Sequence, residues 1–145
     1  MPWRDAMSSE FEFFAASEDE LQILDRELDA FNDNATGLND RQSIGISVRD
    51  RAGRMVGGLK GITALGWLYV SILWLDEDHR GQGLGADLLR RAERQALARG
   101  CRRACLSSFS FQAPEFYLRQ GYEVFGQLED YPAGETLFFL RKVLS

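Results

Sequence analysis

Between Arg80 and Ala86 the chain reads R-G-Q-G-L-G-A, and its capacity for chemistry is concentrated there. Gly81, Gly83 and Gly85 lack a Cβ, so the backbone can turn tightly and approach a bulky anion. An apolar stretch ending in L-W-L precedes the loop and an amphipathic stretch follows it. The amides of Gln82, Gly83, Leu84, Gly85 and Ala86 are therefore expected as unpaired donors of a helix's first turn. Those donors and the positive end of the helix dipole form an anion site, to which Arg80 adds a fixed, multidentate positive charge. A phosphate or pyrophosphate is the natural occupant.

Other reactive side chains are few. The chain has two cysteines, Cys101 and Cys105, and one histidine, His79. They do not supply the ligand pattern of a tetrahedral zinc site, and no metal is expected. His79 lies in a charged loop with no nucleophile motif beside it, so a histidine-based triad is not expected either. Both cysteines are expected to be reduced, with Cys105 packed as a small core residue on a strand.

The elements that must position the loop follow from periodicity. Phe11 to Ala16 reads as a short aromatic strand. Ser17 with Glu20 three residues later is a capping box, and Leu21, Leu24, Leu28 and Phe31 give the following helix one apolar face, ending around Asn32. Ser43 to Val48, Met55 to Thr63 and Trp67 to Leu75 read as three strands joined by tight turns, an antiparallel meander. Trp74 is expected in the core. The helix after the glycine loop stops at Gly100, and Arg103 to Ser108 follows as a buried strand, giving a strand–helix–strand unit with parallel neighbours. A second helix spans about Ala113 to Gln120, with Pro114 suited to its first turn. Tyr122 to Leu128 and Glu135 to Val143 close the chain as a hairpin. The order β-α-β-β-β-α-β-α-β-β predicts one α/β (α+β) domain over residues 1–145, a mixed and mostly antiparallel sheet with helices on both faces.

Length and composition agree with one soluble domain: 145 residues, 45% apolar and 27% charged. The longest uncharged run, Gly61 to Leu75, has 15 residues, short of the roughly 20 a membrane helix needs. The first eleven residues hold no apolar leader core, so a cytoplasmic protein with no membrane partner is expected. Net charge is −5, and residues 1–40 hold eleven acids against two bases. That block could attract a cation, while the more basic remainder could hold a polyanion. No basic stripe dominates, so nucleic acid is not an expected partner.

Two frames fit the loop. G-x-G-x-x-A, as Gly81, Gly83 and Ala86, suggests a dinucleotide fold, but D-E-D-H-R separates strand from loop, the expected acid about 20 residues on is missing, and the preceding elements form a meander. No G-K-[ST] follows, which excludes a P-loop. The other frame is R-x-x-G-x-G, as Arg80, Gly83 and Gly85. Preceded by an apolar strand and followed by an amphipathic helix, it resembles the acetyl-coenzyme A loop of the GNAT (Gcn5-related) N-acetyltransferase superfamily. P-E-F-Y-L-R-Q-G-Y resembles the family's F-Y-x-x-x-G-[FY] segment, with Phe116, Tyr117, Gly121 and Tyr122 in register.

The resemblance implies an acetyl-CoA-dependent N-acetyltransferase, an acyltransferase acting by direct attack in a ternary complex. By the same resemblance the loop from Arg80 to Ala86 would hold the pyrophosphate. The main chain of Leu73 and Leu75 would bond the pantetheine arm like an added strand, at a place where the family splays its sheet. Tyr117 is the expected general acid, since a phenol can return a proton to a thiolate of similar basicity. No acid lies between Trp67 and Leu75, so a water relayed by hydroxyls, Ser71 among them, replaces a carboxylate base. Asp33, Asp130 and Glu135, expected on loops bordering the cleft, could assist or receive the substrate. The acceptor is expected to be a primary amine on a small cationic molecule. A non-catalytic CoA-binding sensor or scaffold and a nicotinamide-dependent reductase are the alternatives. Phe138 and Phe139 could serve the core or the seam of a homodimer.

Overall fold

The computed structural model describes the backbone of residues 2–3 and the whole of residues 10–145. The expectation about a leader core, drawn from residues 1–11, falls mostly outside the described residues. Contacts divide the chain after Asn39 into two compact units.

In the first unit β1 (Pro2–Trp3) pairs antiparallel with β2 (Phe13–Phe14), and α1 spans Glu18–Thr36. The capping box is formed: the Glu20 amide donates to Ser17 Oγ at 3.2 Å, and the Ser17 amide donates to Glu20 Oε1 at 3.0 Å. The Ser17 bond holds the Glu20 carboxyl below its ordinary pKa. Three acids in the first turn complement the helix dipole. The helix runs past the expected end at Asn32, because Thr36 Oγ1 donates to the Asn32 carbonyl at 2.7 Å and the left-handed stop is Gly37, at φ 70°.

The second unit is built on β3 (Gln42–Arg49), β4 (Met55–Ala64), β5 (Trp67–Leu75), β6 (Arg103–Phe109), β7 (Glu123–Glu129) and β8 (Thr136–Val143), ordered β3-β4-β5-β6-β8-β7. All neighbours are antiparallel except β5 and β6. A single 3-10 turn (Glu77–His79) leads from β5 to α2 (Leu84–Ala98), and α3 (Pro114–Arg119) joins β6 to β7. The predicted order of elements and mixed sheet are present, and the meander removes the dinucleotide fold. Among the described residues no helix is long and apolar enough to cross a membrane.

Leu88, Leu89, Ala92 and Ala96 of α2 are buried with Leu68, Ala104, Leu106 and Leu140 of the sheet, and Phe116 and Tyr117 of α3 pack against the same cluster. Each buried leucine contributes about 1.5–3 kcal/mol. The two helices of this unit therefore share one core.

Two departures from regular pairing shape the sheet. Between β4 and β5 the register passes from Lys60↔Ile72 to Gly61↔Val70, leaving Ser71 as a bulge whose Oγ donates to the Lys60 carbonyl at 3.1 Å. The extra residue reverses the alternation of side chains. Val70, Leu73 and Leu75 all serve the core, while Trp74, expected inside, is 49% exposed. The second departure is between β5 and β6, which share only the pairs from Trp67↔Arg103 to Tyr69↔Cys105 among the described residues. Beyond them β6 continues against β8 alone, and the sheet opens as a wedge.

A buried clamp ties α2 to the C-terminal strands. Tyr122 OH donates to Glu93 Oε2 at 2.7 Å, and Lys142 Nζ donates to Glu93 Oε1 at 3.0 Å. Glu93 is only 7% exposed, so both its oxygens need these donors. Burial first, then the Glu93 charge and hydrogen bond, push the Tyr122 phenol well above its ordinary pKa.

Two outcomes are expected. Gly61→Ala should lower stability by about 1–3 kcal/mol in urea melts, since an ideal Cβ there falls 2.6 Å from the Tyr69 carbonyl oxygen. Gly45→Ala, with open space at its Cβ, should stay within about 0.5 kcal/mol; equal effects would contradict the close approach of β4 and β5. Tyr122→Phe should cost about 1–3 kcal/mol at neutral pH. Because the folded phenol holds its proton more tightly than the unfolded one, its contribution is present below about pH 10 and is lost above it. The variant's stability should therefore fall less steeply than wild type above that pH, and equal slopes would contradict the clamp.

Candidate active site

The loop predicted to take an anion has the required geometry. Gly81 and Gly83 have φ of 76° and 82°, with nothing within 4 Å of an ideal Cβ, so the backbone is open to approach. Gly83 is the N-cap of α2 and makes no side-chain cap bond. The first bond of the α2 ladder runs from the Asp87 amide to the Gly83 carbonyl at 3.1 Å, leaving the amides of Leu84, Gly85 and Ala86 without a partner in the helix. Gln82 Nε2 donates to the Asp78 carbonyl at 3.4 Å and closes the loop on itself.

Gly85 has a different reason for being glycine. It is buried, and an ideal Cβ would sit 3.3 Å from Phe116 Cζ and 3.6 Å from Leu75 Cδ1. The absence of a side chain lets α3 and the end of β5 close on the first turn of α2 while the Gly85 amide stays at the helix entrance. Phe116 in turn meets the Tyr117 ring edge-on at 5.0 Å, and Tyr117 meets Tyr122 edge-on at 6.1 Å. The predicted acid is thus linked to the predicted anion loop through Phe116, which lies against Gly85. Burial raises the Tyr117 phenol above its ordinary pKa, so it carries its proton at neutral pH.

Arg80 Nε donates to the Leu75 carbonyl at 3.1 Å, fastening the loop to the strand end. On the other side of β5, the Trp74 carbonyl lies against Gly57 of β4. Main-chain groups alternate along a strand, so those of Leu73 and Leu75 face away from β4, toward the wedge that β6 has left. Ser71 stands at the bulge, its hydroxyl proton committed to Lys60 and its oxygen able to accept. Trp74 and Ile72 face the other way and line, with Met55 and Lys60, a groove of about 470 Å³ across β3 to β5.

The predicted acids fall in different elements. Asp33 lies in the last turn of α1, in the first unit, and not on a loop; the helix extension past Asn32 absorbs it. Asp130 and Glu135 do flank the β7–β8 turn, where the Asp130 carboxylate accepts from the Gly134 amide at 3.4 Å and the Glu135 carboxylate accepts from Ser110 Oγ. His79 Nδ1 is 3.8 Å from Asp76 Oδ2, beyond hydrogen-bond length, and Asp76 instead caps the turn by accepting from the Asp78 amide at 3.1 Å. Both cysteines are free thiols with pKa raised mainly by burial, Cys101 fully buried and Cys105 partly so. Neither is primed as a thiolate. Among the described residues no group of three or more His, Cys, Asp or Glu is placed to hold a metal. The Glu93–Tyr122–Lys142 clamp was not predicted, since a lone glutamate on an arginine-rich helix reads as surface charge.

The Acetyltransferase (GNAT) family profile matches residues 3–122. An acetyltransferase of Agrobacterium fabrum is 37% identical over 113 residues, 78% of this chain and 82% of the relative. Blasticidin-S acetyltransferase of Streptomyces morookaense is 43% identical over 93 residues, 63% and 68% of the two chains. The crystal structure of an acetyltransferase from Bacillus cereus superposes with a TM-score of 0.80 at 33% identity, covering 91% of this chain and 96% of that one. With the glycine loop, the bulged strand, the wedge and the α3 tyrosine in one unit, the chain belongs to the GNAT family and is an acetyl-CoA-dependent N-acetyltransferase.

Proposed function

We propose that the protein acetylates a primary amine on a small, cationic acceptor by direct attack within a ternary complex. The observation that carries this reading is the opening of β5 from β6 beside a helix entrance without a side-chain cap, which leaves main-chain groups of both open to a ligand. A diphosphate suits the entrance: the amides of Leu84, Gly85 and Ala86 have no partner within the helix, the space at Gly81 and Gly83 is open, and Arg80 carries positive charge in the same loop. Acetyl-CoA, held there, supplies the acyl group as a thioester.

The chain's own residues do the rest. The main chain of Leu73 and Leu75 aligns the pantetheine arm in the manner of an added strand, and an amide near Leu75 polarises the thioester carbonyl. The Tyr117 hydroxyl holds the proton required by the departing sulfur, and its burial keeps that proton in place until the sulfur becomes strongly basic. Ser71 Oγ offers an acceptor lone pair to a water that takes the proton from the amine. Asp130 and Glu135 favour a cation at the β7–β8 turn. A relative that bears the name blasticidin-S acetyltransferase supports a small-molecule acceptor.

An amine panel scored by release of free thiol tests the reading; no amine-dependent release with any member would leave a CoA-binding module without transferase chemistry. Tyr117→Phe should lower kcat about a hundredfold or more with the amine KM little changed. In the wild-type pH profile of kcat/KM, the fall assigned to Tyr117 should lie above pH 10, because burial moves the phenol upward. Normal turnover of the variant would remove Tyr117 as the acid. Gly83→Val places a branched side chain at φ 82° in open space. It should cost on the order of 1–3 kcal/mol of stability, leave the circular dichroism spectrum unchanged and abolish thermal stabilisation by acetyl-CoA. Retained tight binding would overturn the loop assignment.

A further inference from the structure

At the wide end of the wedge, three aromatic rings stand nearly parallel. Phe109, the last residue of β6, stacks on Phe111 at 5.0 Å with an interplanar angle of 11°, and on Tyr131 of the β7–β8 turn at 5.4 Å and 22°. Phe109 is half-buried, whereas Phe111 is 57% and Tyr131 51% exposed. Hydrophobic collapse alone would bury such rings; here the outer two keep area open to solvent.

The platform is held rigidly. The Phe109 amide donates to Gln112 Oε1 at 2.8 Å and the Gln112 amide to the Phe109 carbonyl at 2.9 Å, fixing the turn that carries Phe111. The Ser110 amide donates to the Thr136 carbonyl at 2.8 Å, and the Thr136 amide returns a bond to Ser110 Oγ at 2.9 Å. The Tyr131 amide donates to the Glu135 carbonyl at 3.2 Å. The loop after β6 and the β7–β8 turn are thereby stitched together, with the Glu135 carboxylate on Ser110 at the seam. Residues 129–135, E-D-Y-P-A-G-E, hold three acids and no base.

From this juxtaposition we infer that the acceptor carries a flat, conjugated ring beside its cationic amine. The ring stacks on the exposed Tyr131 ring, at the Glu135 end of the Phe111–Phe109–Tyr131 column, and the cation lies toward Glu135. Planar rings gain from offset stacking on a fixed aromatic face, and rings already held in place lose little entropy when a ligand joins them. Acids on the same turn select positive charge over neutral or anionic rings of equal shape. The inference rests on the acetyltransfer reading for the meaning of the bound molecule, but the platform can be tested without turnover.

Benzylamine and cyclohexylmethylamine are probes of similar size, one flat and one puckered. With the protein and acetyl-CoA, Tyr131→Leu should raise the KM for benzylamine about fivefold. The KM for cyclohexylmethylamine should change less than about twofold, and Tyr131→Phe should retain the wild-type value for both. Reading the change on substitution within each amine cancels their different basicities. Equal changes for both amines, or none for benzylamine, would overturn the platform. Saturation-transfer NMR of benzylamine supplies the second readout: ring signals are expected with wild type and not with Tyr131→Leu. That result without any acetyl transfer would sink the catalytic reading and keep the platform, whereas no ring contact in wild type would sink the platform itself.

Discussion

One residue too many in a strand organises this molecule. Ser71 has no partner across from β4, and the alternation of β5 shifts around it. Below the bulge β5 behaves as an ordinary central strand, paired on both sides. Above it the strand keeps β4 and loses β6. Unpaired main-chain donors and acceptors in the middle of a sheet are costly when buried and attract a new partner when reachable. Here they are left reachable, next to a helix entrance with the same deficit. Two incomplete hydrogen-bonding edges, one of a strand and one of a helix, meet at Leu75 and Arg80.

The rest of the second unit keeps these edges in place. Gly85 brings α2 within reach of Phe116 and Leu75. The Glu93 clamp then fixes the far side of α2 to Tyr122 and β8, so α3 is held at both ends of its aromatic pair. A buried carboxylate with two donors is a poor contributor to net stability compared with packed hydrocarbon, because desolvation offsets most of the attraction. Its geometric demand is stricter than that of a leucine, however, since both oxygens must meet their donors or incur the full cost of burial. Orientation of α3, and with it the Tyr117 hydroxyl, is what that strictness secures.

Much of this was legible in the chain. The capping box of α1, the meander, the helix opened by the glycine loop and the C-terminal hairpin each announce themselves through local rules of periodicity, capping and turn chemistry. The glycine loop was legible as an open turn into a helix because the geometry it needs is written in residues that lack Cβ. What stayed hidden has a common cause. The bulge inserts one residue into the Trp67–Leu75 run without any change in composition, so period-two reading placed Trp74 inside. Gly85 looked like part of the loop's permissive backbone, yet it is a packing glycine whose partner Phe116 lies thirty-one positions away along the chain. Glu93 could be recognised only once Tyr122 and Lys142 were brought beside it. Pairings across the fold are not encoded in neighbours.

The three-residue ladder of Trp67 to Tyr69 with Arg103 to Cys105 has a mechanical meaning. Among the described residues it is the strand pairing that joins a meander of three strands to a second group of three, and it sits at one end of both. Each group is internally laced by long antiparallel pairs, so deformation concentrates at the seam while the two plates stay flat. α2 packs on β3, β4 and β5 and reaches the second group through shared core residues and the Glu93–Lys142 bond, so it bridges the gap where backbone pairing is missing. Substitutions on the buried side of that helix therefore act as shims, adjusting how wide the mouth stands while every residue that lines it remains unchanged.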